Sequence, residues 1–388
     1  MIGTRRGLGF LAFASMVTIA CGHGRAQTYA DGRPAAIMRL DAQDSGVVLR
    51  HGPEAFDSIG ARDVWVSADH GRFYMHYDAA GPTGWLCALA VSDDLLHWRK
   101  QGLVMQLGAP GTPDAGSASY CTTYHAGAVW YQFYLGAART TPPPDRVPMV
   151  PFVTLAAVET SPRGPARKRY DIVPFRPTPG TFYADVASPG FIVRQGEEYL
   201  QFFSGAALIG RNAEVLRRLW TGQSVDVSGA DLSDIRFQRT IGLARTRSLD
   251  AAWAVDARPV VPATEQVENT SLYYEPVNRT WFLFTDHVGY DPTVGGHEYT
   301  DAIWVYWTDD LTRWDPRRKA VVLDGRNCAW SRRVHGVPSV IPADGRLALF
   351  YDGVAGDGTG DVGRDIGLAW LTLPLRPPSP PDAAVEER

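Results

Sequence analysis

This chain of 388 residues contains little cysteine and has no large excess of positive or negative charge. These two features exclude several classes of protein. Of the 4 cysteines, Cys21 lies in the N-terminal segment, so an odd number remains: Cys87, Cys121 and Cys328. An odd count argues against a disulfide framework, although one pair can still form in an oxidising compartment, and the spacing does not match a zinc site. A net charge of −4 provides no basic field for nucleic acid.

Several catalytic motifs are also missing. The sequence has no phosphate-binding glycine loop, no nucleophilic serine elbow and no His-Glu metal motif. We therefore expect no cofactor, although a structural ion such as calcium on the axis of the fold is compatible with the sequence.

The one long apolar run is too short to span a membrane. It follows Arg5 and Arg6 and leads to small residues near Ala26, which is typical of a secretory signal. The sequence predicts a signal peptide over residues 1–26 and a single mature domain over 27–388, located in the periplasm or outside the cell. The segment "TIAC" offers an alternative, because it resembles a bacterial lipobox that would place a lipid anchor on Cys21.

Aromatic residues make up 11% of the chain, beside 39 glycines and 28 prolines. This mixture favours many short strands joined by sharp turns. Aromatic side chains fill protein cores and also form platforms in carbohydrate sites, so their abundance fits either use.

A repeated turn and a repeated strand pair indicate the architecture. "VSDDLLHW" (91–98) and "WTDDLTRW" (307–314) share one pattern. Each lies downstream of an aromatic, β-rich run, and such runs recur at intervals of roughly 60 to 80 residues, which is typical of propeller blades. The sequence predicts an all-β, five-bladed propeller, with a β-sandwich as the alternative. The five runs occupy residues 71–79, 128–137, 197–206, 279–287 and 345–353.

Long irregular connections follow most of these runs, whereas the connections that precede them are short. In an antiparallel blade the two sets lie on opposite faces, so the long loops mark a binding face. The first strand of each unit starts on this face near the axis. The residues placed there are Asp63, Asp185, Glu268 and His335, and Trp65, Asp286 and His287 are further candidates for contacts with substrate.

These segments resemble the five-bladed propeller glycoside hydrolases, such as families 43 and 32. "RDVWVSADHGRFYMHY" is similar to their first-blade segment, which implies that Asp63 is the catalytic base or nucleophile. "DVASPGFIVRQGEEYLQFF" implies that Asp185 orients substrate and adjusts the acid, and "ENTSLYYEPVNRTWFLF" implies that Glu268 is the general acid. The resemblance covers nearly all of the mature chain.

The sequence departs from that pattern in two ways. Asn269 and Thr270 replace the family's Gly-Pro or Cys-Pro, and a blade without an acid separates Asp63 from Asp185. His335 is therefore an alternative acid, because a related family that cleaves agar fragments uses histidine. It is also a candidate for binding substrate or an axial ion, or for a buried structural histidine.

The resemblance implies a secreted glycoside hydrolase acting on oligo- or polysaccharides by carboxylate acid and base catalysis. One alternative is a phosphorylase of the mannoside-phosphorolysing type, with Arg332, Arg333 and His335 as the phosphate site. Another is a propeller that binds sugars without cleaving them. The sequence leaves open the sugar, the linkage and whether the reaction inverts or retains configuration, which depends on the carboxyl separation.

Overall fold

Strands form almost all of the regular structure in the computed structural model, which describes residues 35–232, 235–291, 293 and 298–379. The predicted signal peptide, residues 1–26, and Cys21 lie outside the described residues. The described residues contain 23 strands, two 3-10 turns and one α-helix. No helix in these ranges is long and apolar enough to cross a membrane.

The strands group into five antiparallel units. Two strands, β1 (Met38–Arg39) and β2 (Gln43–Leu49), and a 3-10 turn (Ala55–Asp57) precede the first unit. The first unit contains β3 (Gly60–Asp69), β4 (Arg72–Gly81), β5 (Gly84–Ser92) and β6 (Arg99–Leu103). The second contains β7 (Ser117–Ala126), β8 (Val129–Ala137), β11 (Val153–Glu159) and β12 (Arg167–Lys168), with a small hairpin of β9 (Arg139–Thr140) and β10 (Pro148–Met149) in its long loop.

The third unit carries the α-helix. It consists of β13 (Val186–Gln195), β14 (Glu198–Ile209), helix α1 (Ala213–Trp220), β15 (Arg236–Thr246) and β16 (Ala254–Val255). The fourth begins after a 3-10 turn (Ala263–Glu265) and contains β17 (Val267–Glu275), β18 (Thr280–Tyr290), β19 (Glu298–Thr308) and β20 (Lys319–Asp324). The fifth contains β21 (Gly336–Ala343), β22 (Arg346–Val354) and β23 (Arg364–Thr372).

All five predicted aromatic runs are confirmed as the second strand of a unit, namely β4, β8, β14, β18 and β22. They form strands because aromatic and β-branched side chains pack well on a pleated, buried surface. The α-helix α1 lies inside the long loop that follows β14.

The two Asp-Asp-Leu turns have the same hydrogen bond. Trp98 Nε1 donates to the carbonyl of Leu95 at 2.8 Å, and Trp314 Nε1 donates to the carbonyl of Leu311 at 2.8 Å. One turn joins β5 to β6 and the other joins β19 to β20, so each connects the third strand of its unit to the fourth. The pattern is repeated because both units turn back at the same point.

Neighbouring units pack through separate apolar clusters. Each cluster draws buried side chains from two consecutive units, and one cluster joins the fifth unit to the first. The first strands touch one another in the order β3, β7, β13, β17, β21 and back to β3. The five pairs of units are represented by Leu89 with Tyr134, Phe133 with Phe203, Leu243 with Leu283, Phe284 with Leu349, and Met75 with Phe350.

The two N-terminal strands pair with strands of the fourth and fifth units. Strand β2 pairs antiparallel with β23 and supplies a fourth strand to the last unit. Strand β1 pairs in parallel with β20 of the fourth unit. The last unit therefore takes its fourth strand from the N-terminal part of the described chain.

The three described cysteines, Cys87, Cys121 and Cys328, are free and buried. Burial raises the pKa of the Cys87 thiol well above its ordinary value, and the thiol of Cys121 lies close enough to contribute. Both thiols are therefore held in the protonated form within the cluster that joins the first two units.

Candidate active site

Each first strand contains a β-bulge near its start, and the register shows that the five bulges are equivalent. The residue just before each bulge pairs with a residue on the second strand of the same unit. The five pairs are Arg62 with Asp78, Ser119 with Leu135, Ser188 with Ser204, Glu268 with Asp286, and Gly336 with Asp352. Bulges re-aim side chains and are common beside active sites.

Three bulges place a residue other than glycine in the left-handed region. Asp63, Tyr120 and Asn269 have φ values of 51°, 44° and 55°. Non-glycine residues are uncommon there, so surrounding contacts must hold them. Those contacts come from the neighbouring unit, because each backbone N–H donates across the gap. The acceptors are Asp352 Oδ2 for Asp63 at 2.9 Å, Asp78 Oδ1 for Tyr120, and Ser204 Oγ for Asn269 at 2.6 Å.

These bulges open into a cavity of about 480 Å³ on the long-loop face. Asp63 and Glu268 both line it, from strands β3 and β17. The remaining walls come from bulge residues and from the long loops of the second, third and fifth units. The lining also includes Arg62, Tyr120, Thr141, Met149, Phe152, Ser188, Trp220, Phe237, Arg239, Asn269 and Asp361.

Asp63 lies between a cation and a buried acid. Arg62 Nε is 3.0 Å from Asp63 Oδ1, and the same guanidinium contacts Asp361 at 3.1 Å. Burial, together with the charge of Asp63, raises the pKa of Asp78 well above its ordinary value. The buried Asp78 therefore holds a proton next to Asp63, whose carboxyl contacts Arg62.

Glu268 has a matching arrangement on the other side of the cavity. Arg239 Nε is 3.1 Å from Glu268 Oε2, and the same arginine contacts Glu298 at 2.7 Å. Asp286 is fully buried, and burial followed by the charge of Glu268 raises its pKa well above the ordinary value. Arg239 is thus shared by Glu268 and Glu298. Asp286 holds a proton, because it is buried next to Glu268.

Asp185 is not among the cavity residues and is held in an ion pair. Arg217 of α1 contacts it through two nitrogens, with Nε 2.8 Å from Oδ1 and Nη2 2.9 Å from Oδ2. Asp185 Oδ2 also accepts the backbone N–H of Leu208 at 2.7 Å. Asp185 lies three residues before Ser188, which occupies the register position that Glu268 has in the fourth unit.

His335 is buried and lies outside the cavity lining. It immediately precedes Gly336 and lies between the fourth and fifth units, because its backbone N–H donates to the carbonyl of Thr300 and its ring centroid is 6.2 Å from that of Tyr351. Its Nδ1–H donates to the carbonyl of Asp301 at 3.1 Å, and burial lowers its pKa. The equivalent residues in the other units are also buried and are apolar: Ala61, Ala118, Ala187 and Val267.

The other expected substrate contacts lie below the cavity. Asp286 and His287 are completely buried, and His287 stacks on Trp304 with ring centroids 3.9 Å apart. Trp65 donates from Nε1 to Thr123 of the second unit at 3.0 Å and packs 5.4 Å from Phe191 of the third. Its ring therefore contacts the first strands of two other units and does not line the cavity.

Arg62, Arg239, Tyr120 and Asn269 were not predicted as site residues, and Asn269 was noted only as a departure from the family pattern. Arg62 and Asn269 are adjacent to Asp63 and Glu268 in the sequence, and the bulge turns both members of each pair toward the cavity. Tyr120 and Arg239 carry no comparable signal in the sequence. Among the described residues, no group of three or more histidine, cysteine, aspartate or glutamate side chains is arranged to hold a metal.

No family model matches the sequence, and no curated protein is similar to it by sequence. Solved structures are similar over most of its length. A protein described as a glycoside hydrolase has a TM-score of 0.60 and 13% identity, covering 88% of this chain and 96% of its own. The catalytic domain of a family 62 α-L-arabinofuranosidase from Coprinopsis cinerea has a TM-score of 0.55 and 12% identity, covering 86% and 98%.

A family 43 β-xylosidase/α-arabinofuranosidase from a compost microbial metagenome, in complex with xylotriose, has a TM-score of 0.54 and 16% identity, covering 85% and 95%. The chain therefore has the nearly all-β fold of the β-propeller glycoside hydrolases, as its sequence resemblance implied. Within that class, its structure is similar to members of families 43 and 62.

Proposed function

We propose that this protein is a glycoside hydrolase built as a five-bladed propeller. The five antiparallel units, the closed sequence of contacts among their first strands and the five apolar clusters between consecutive units support the blade count. The likeness to solved glycoside hydrolases supports the class of reaction.

One observation carries the proposal: Asp63 and Glu268 face a single cavity from strands on either side of β21. Between them, β21 presents Gly336 at the equivalent position, which adds no side chain. A glycosidic bond placed in this gap has a carboxyl group on each side, as acid and base catalysis of its cleavage requires.

We assign Asp63 as the base or nucleophile, because Arg62 stabilises its negative charge and Asp78 beside it retains the proton. We assign Glu268 as the general acid. It lines the cavity together with Asp63, and its segment is the one to which the family resemblance gives the acid.

A third acid is predicted to tune Glu268, and we propose Asp286 in that role instead of Asp185. Asp286 is paired in register with Glu268 and is fully buried. It holds a proton next to the acid, whereas Asp185 is paired with Arg217.

The test is a screen of 4-nitrophenyl pentosides and hexosides and of plant and algal oligosaccharides, with and without inorganic phosphate. We expect hydrolysis that does not depend on phosphate, and none by Asp63→Asn. Asp171→Asn, which changes an exposed aspartate paired with Arg169, is the matched control and should retain activity. A folded wild-type protein that cleaves none of these compounds would refute the proposal.

The phosphorylase alternative has less structural support. Arg332 contacts Asp357 and Arg333 contacts Asp291 at 3.4 Å, and neither arginine lines the cavity. Strict dependence on phosphate in the same screen would nevertheless favour that alternative. Binding without turnover would favour the sugar-binding one.

We further propose that the mature enzyme acts in the periplasm or outside the cell on carbohydrate, as the N-terminal sequence predicts. Fractionation of cells that express the full chain, with mass determination of the mature N-terminus, distinguishes cleavage after Ala26 from lipidation at Cys21. Recovery of the uncleaved protein in the cytoplasm would refute export.

A further inference from the structure

One wall of the cavity runs from Glu268 outward to the end of helix α1. Phe237 and Arg239 lie two residues apart on β15 and so share a face of the strand. The Arg239 guanidinium, which contacts Glu268, lies 5.1 Å from the centroid of the Phe237 ring. Phe237 in turn stacks on Trp220, with centroids 5.8 Å apart and ring planes 14° from parallel.

Trp220 and Phe237 are half-buried, and both line the cavity. Aromatic faces bind the C–H face of a sugar ring while its hydroxyl groups remain free for hydrogen bonds. We propose that the face of Trp220 turned away from Phe237 forms a second sugar subsite, for the residue next to the sugar whose bond is cleaved, and that Phe237 supports it by stacking. This inference rests on the proposed glycosidase function and adds that the substrate is longer than one sugar.

Asp185 acts as a positioning residue for this wall, because it holds the helix that carries Trp220. Arg217 lies three residues before Trp220 on α1, so the two side chains are neighbours on the helix surface. Arg217 is fixed by Asp185 and by the carbonyl of Leu208, to which it donates at 2.8 Å. An isolated helix of 8 residues is not stable in water, so the place of α1 depends on such tertiary anchors.

A second contact ties the helix to the opposite loop. Gly222, two residues after α1, has a φ of 80°, and a Cβ atom there would lie 1.9 Å from an Arg139 guanidinium nitrogen. Arg139 therefore packs directly against the glycine backbone. Because Arg139 begins the hairpin loop that supplies Thr141 and Met149 to the cavity, the two loops meet at its rim.

Two kinds of substrate separate this subsite from the catalytic one. A glycosyl fluoride of the sugar cleaved fastest in the screen fills only the catalytic subsite, whereas a trisaccharide of the same sugar also reaches the aromatic wall. For Trp220→Ala we expect KM to rise about tenfold for the trisaccharide, with kcat nearly unchanged, and no change in KM for the fluoride. Trp220→Phe should restore most of the loss.

Asp185→Asn and Arg217→Met should reproduce the change in KM with the trisaccharide only. Combined with Trp220→Ala, either variant should add little, because all three changes remove the same wall. Arg218→Met is the matched control, since Arg218 lies on the same helix but contacts Gln223 rather than Asp185. Two variants of one ion pair keep the test valid if either fails to fold.

Isothermal titration calorimetry of Asp63→Asn with the trisaccharides of the screen measures their affinity for the protein in the absence of turnover. We expect Trp220→Ala in this background to weaken binding about tenfold. An equal affinity, or an active enzyme whose KM for trisaccharide is unchanged by Trp220→Ala, would overturn the second subsite alone. A pH-independent loss of kcat in Asp185→Asn with KM unchanged would overturn the positioning role of Asp185. A wild-type protein that cleaves no glycoside contradicts the proposed function instead.

Discussion

Asp352 accepts the backbone N–H of Asp63 at 2.9 Å, so a carboxyl of the last unit fixes the bulge that presents the proposed base in the first. The other oxygen of Asp352 is 2.6 Å from Arg364, and both side chains of this ion pair are buried. A candidate catalytic residue is thus held by a contact between the two ends of the chain.

Removal of this contact should destabilise the protein. Asp352→Ala removes the buried carboxyl 2.6 Å from Arg364 and leaves only the contact with Asp361 at 3.4 Å, and breaking a buried ion pair typically costs about 3–5 kcal/mol. We expect that loss in the free energy of unfolding, measured by urea denaturation. Asp357→Ala is the control, because its pair with Arg332 is exposed and should contribute less than about 1 kcal/mol. Equal losses in the two variants would contradict this account.

Glu268→Gln should slow the enzyme in a way that depends on the leaving group. General acid catalysis typically contributes about 10²–10⁴-fold to the rate. We expect a fall of that size in kcat for natural oligosaccharides and a smaller one for 4-nitrophenyl glycosides, whose leaving group needs less protonation. Asp63→Asn should abolish both reactions. Glu198→Gln, at a half-buried position outside the cavity lining, is the control.

A folded Glu268→Gln variant with wild-type turnover of oligosaccharides would exclude Glu268 as the acid. His335 is then the next residue to test, although its buried position between sheets argues that its replacement acts through folding.

Asp78→Asn should stabilise the protein more as the pH rises. Burial raises the pKa of Asp78 in the folded state, so the stability gained from its protonation is complete below the unfolded pKa of about 3.9 and is lost as pH rises through the folded pKa. Asparagine keeps the neutral form at every pH. The gain should therefore grow by about 1.4 kcal/mol per pH unit above pH 4, until the folded pKa is reached.

Thermal melts between pH 3 and pH 8 measure this difference, and Asp315→Asn gives the opposite sign. The hydrogen bond from Arg317 lowers the pKa of Asp315 to about 2, so its stabilising effect is present above the unfolded pKa and is lost as pH falls through the folded value. A pH-independent difference for Asp78→Asn would show that Asp78 is ionised in the folded protein.

Trp98→Phe and Trp314→Phe should have similar and additive effects. Each removes one indole hydrogen bond to a leucine carbonyl and keeps most of the apolar packing, so we expect a loss of about 1 kcal/mol in the free energy of unfolding per site. The turns lie in different units, so the double variant should lose the sum. A strongly non-additive result would contradict the equivalence of the two turns.

The second strands were predictable because each is an unbroken aromatic run. Asp63 and Glu268 were predictable as neighbours because both lie at the start of a first strand. The same reasoning was not sufficient for His335, since a shift of one residue along a strand moves a side chain to the opposite face. It was not sufficient for Asp185 either, because the β-bulge that sets the register of β13 begins three residues later.

Other features depend on contacts between distant segments. Nothing in residues 43–49 indicates that β2 completes the last sheet, and nothing in residues 213–220 indicates that Arg217 pairs with Asp185. Arg239 joins the site only because β15 is placed between β14 and the fourth unit. Such partners are set by tertiary packing, which a local pattern does not encode.

The pairing of β2 with β23 also constrains the order in which the protein folds. During synthesis β2 leaves the ribosome early, and its partner β23 is the last of the described strands to follow. The four-stranded sheet that holds Asp352 therefore cannot be completed until β23 has been synthesised, and contacts so far apart in sequence make folding slow. Because Asp352 of this sheet holds the bulge of Asp63, the complete cavity wall depends on a strand pairing that joins the two most distant parts of the described chain.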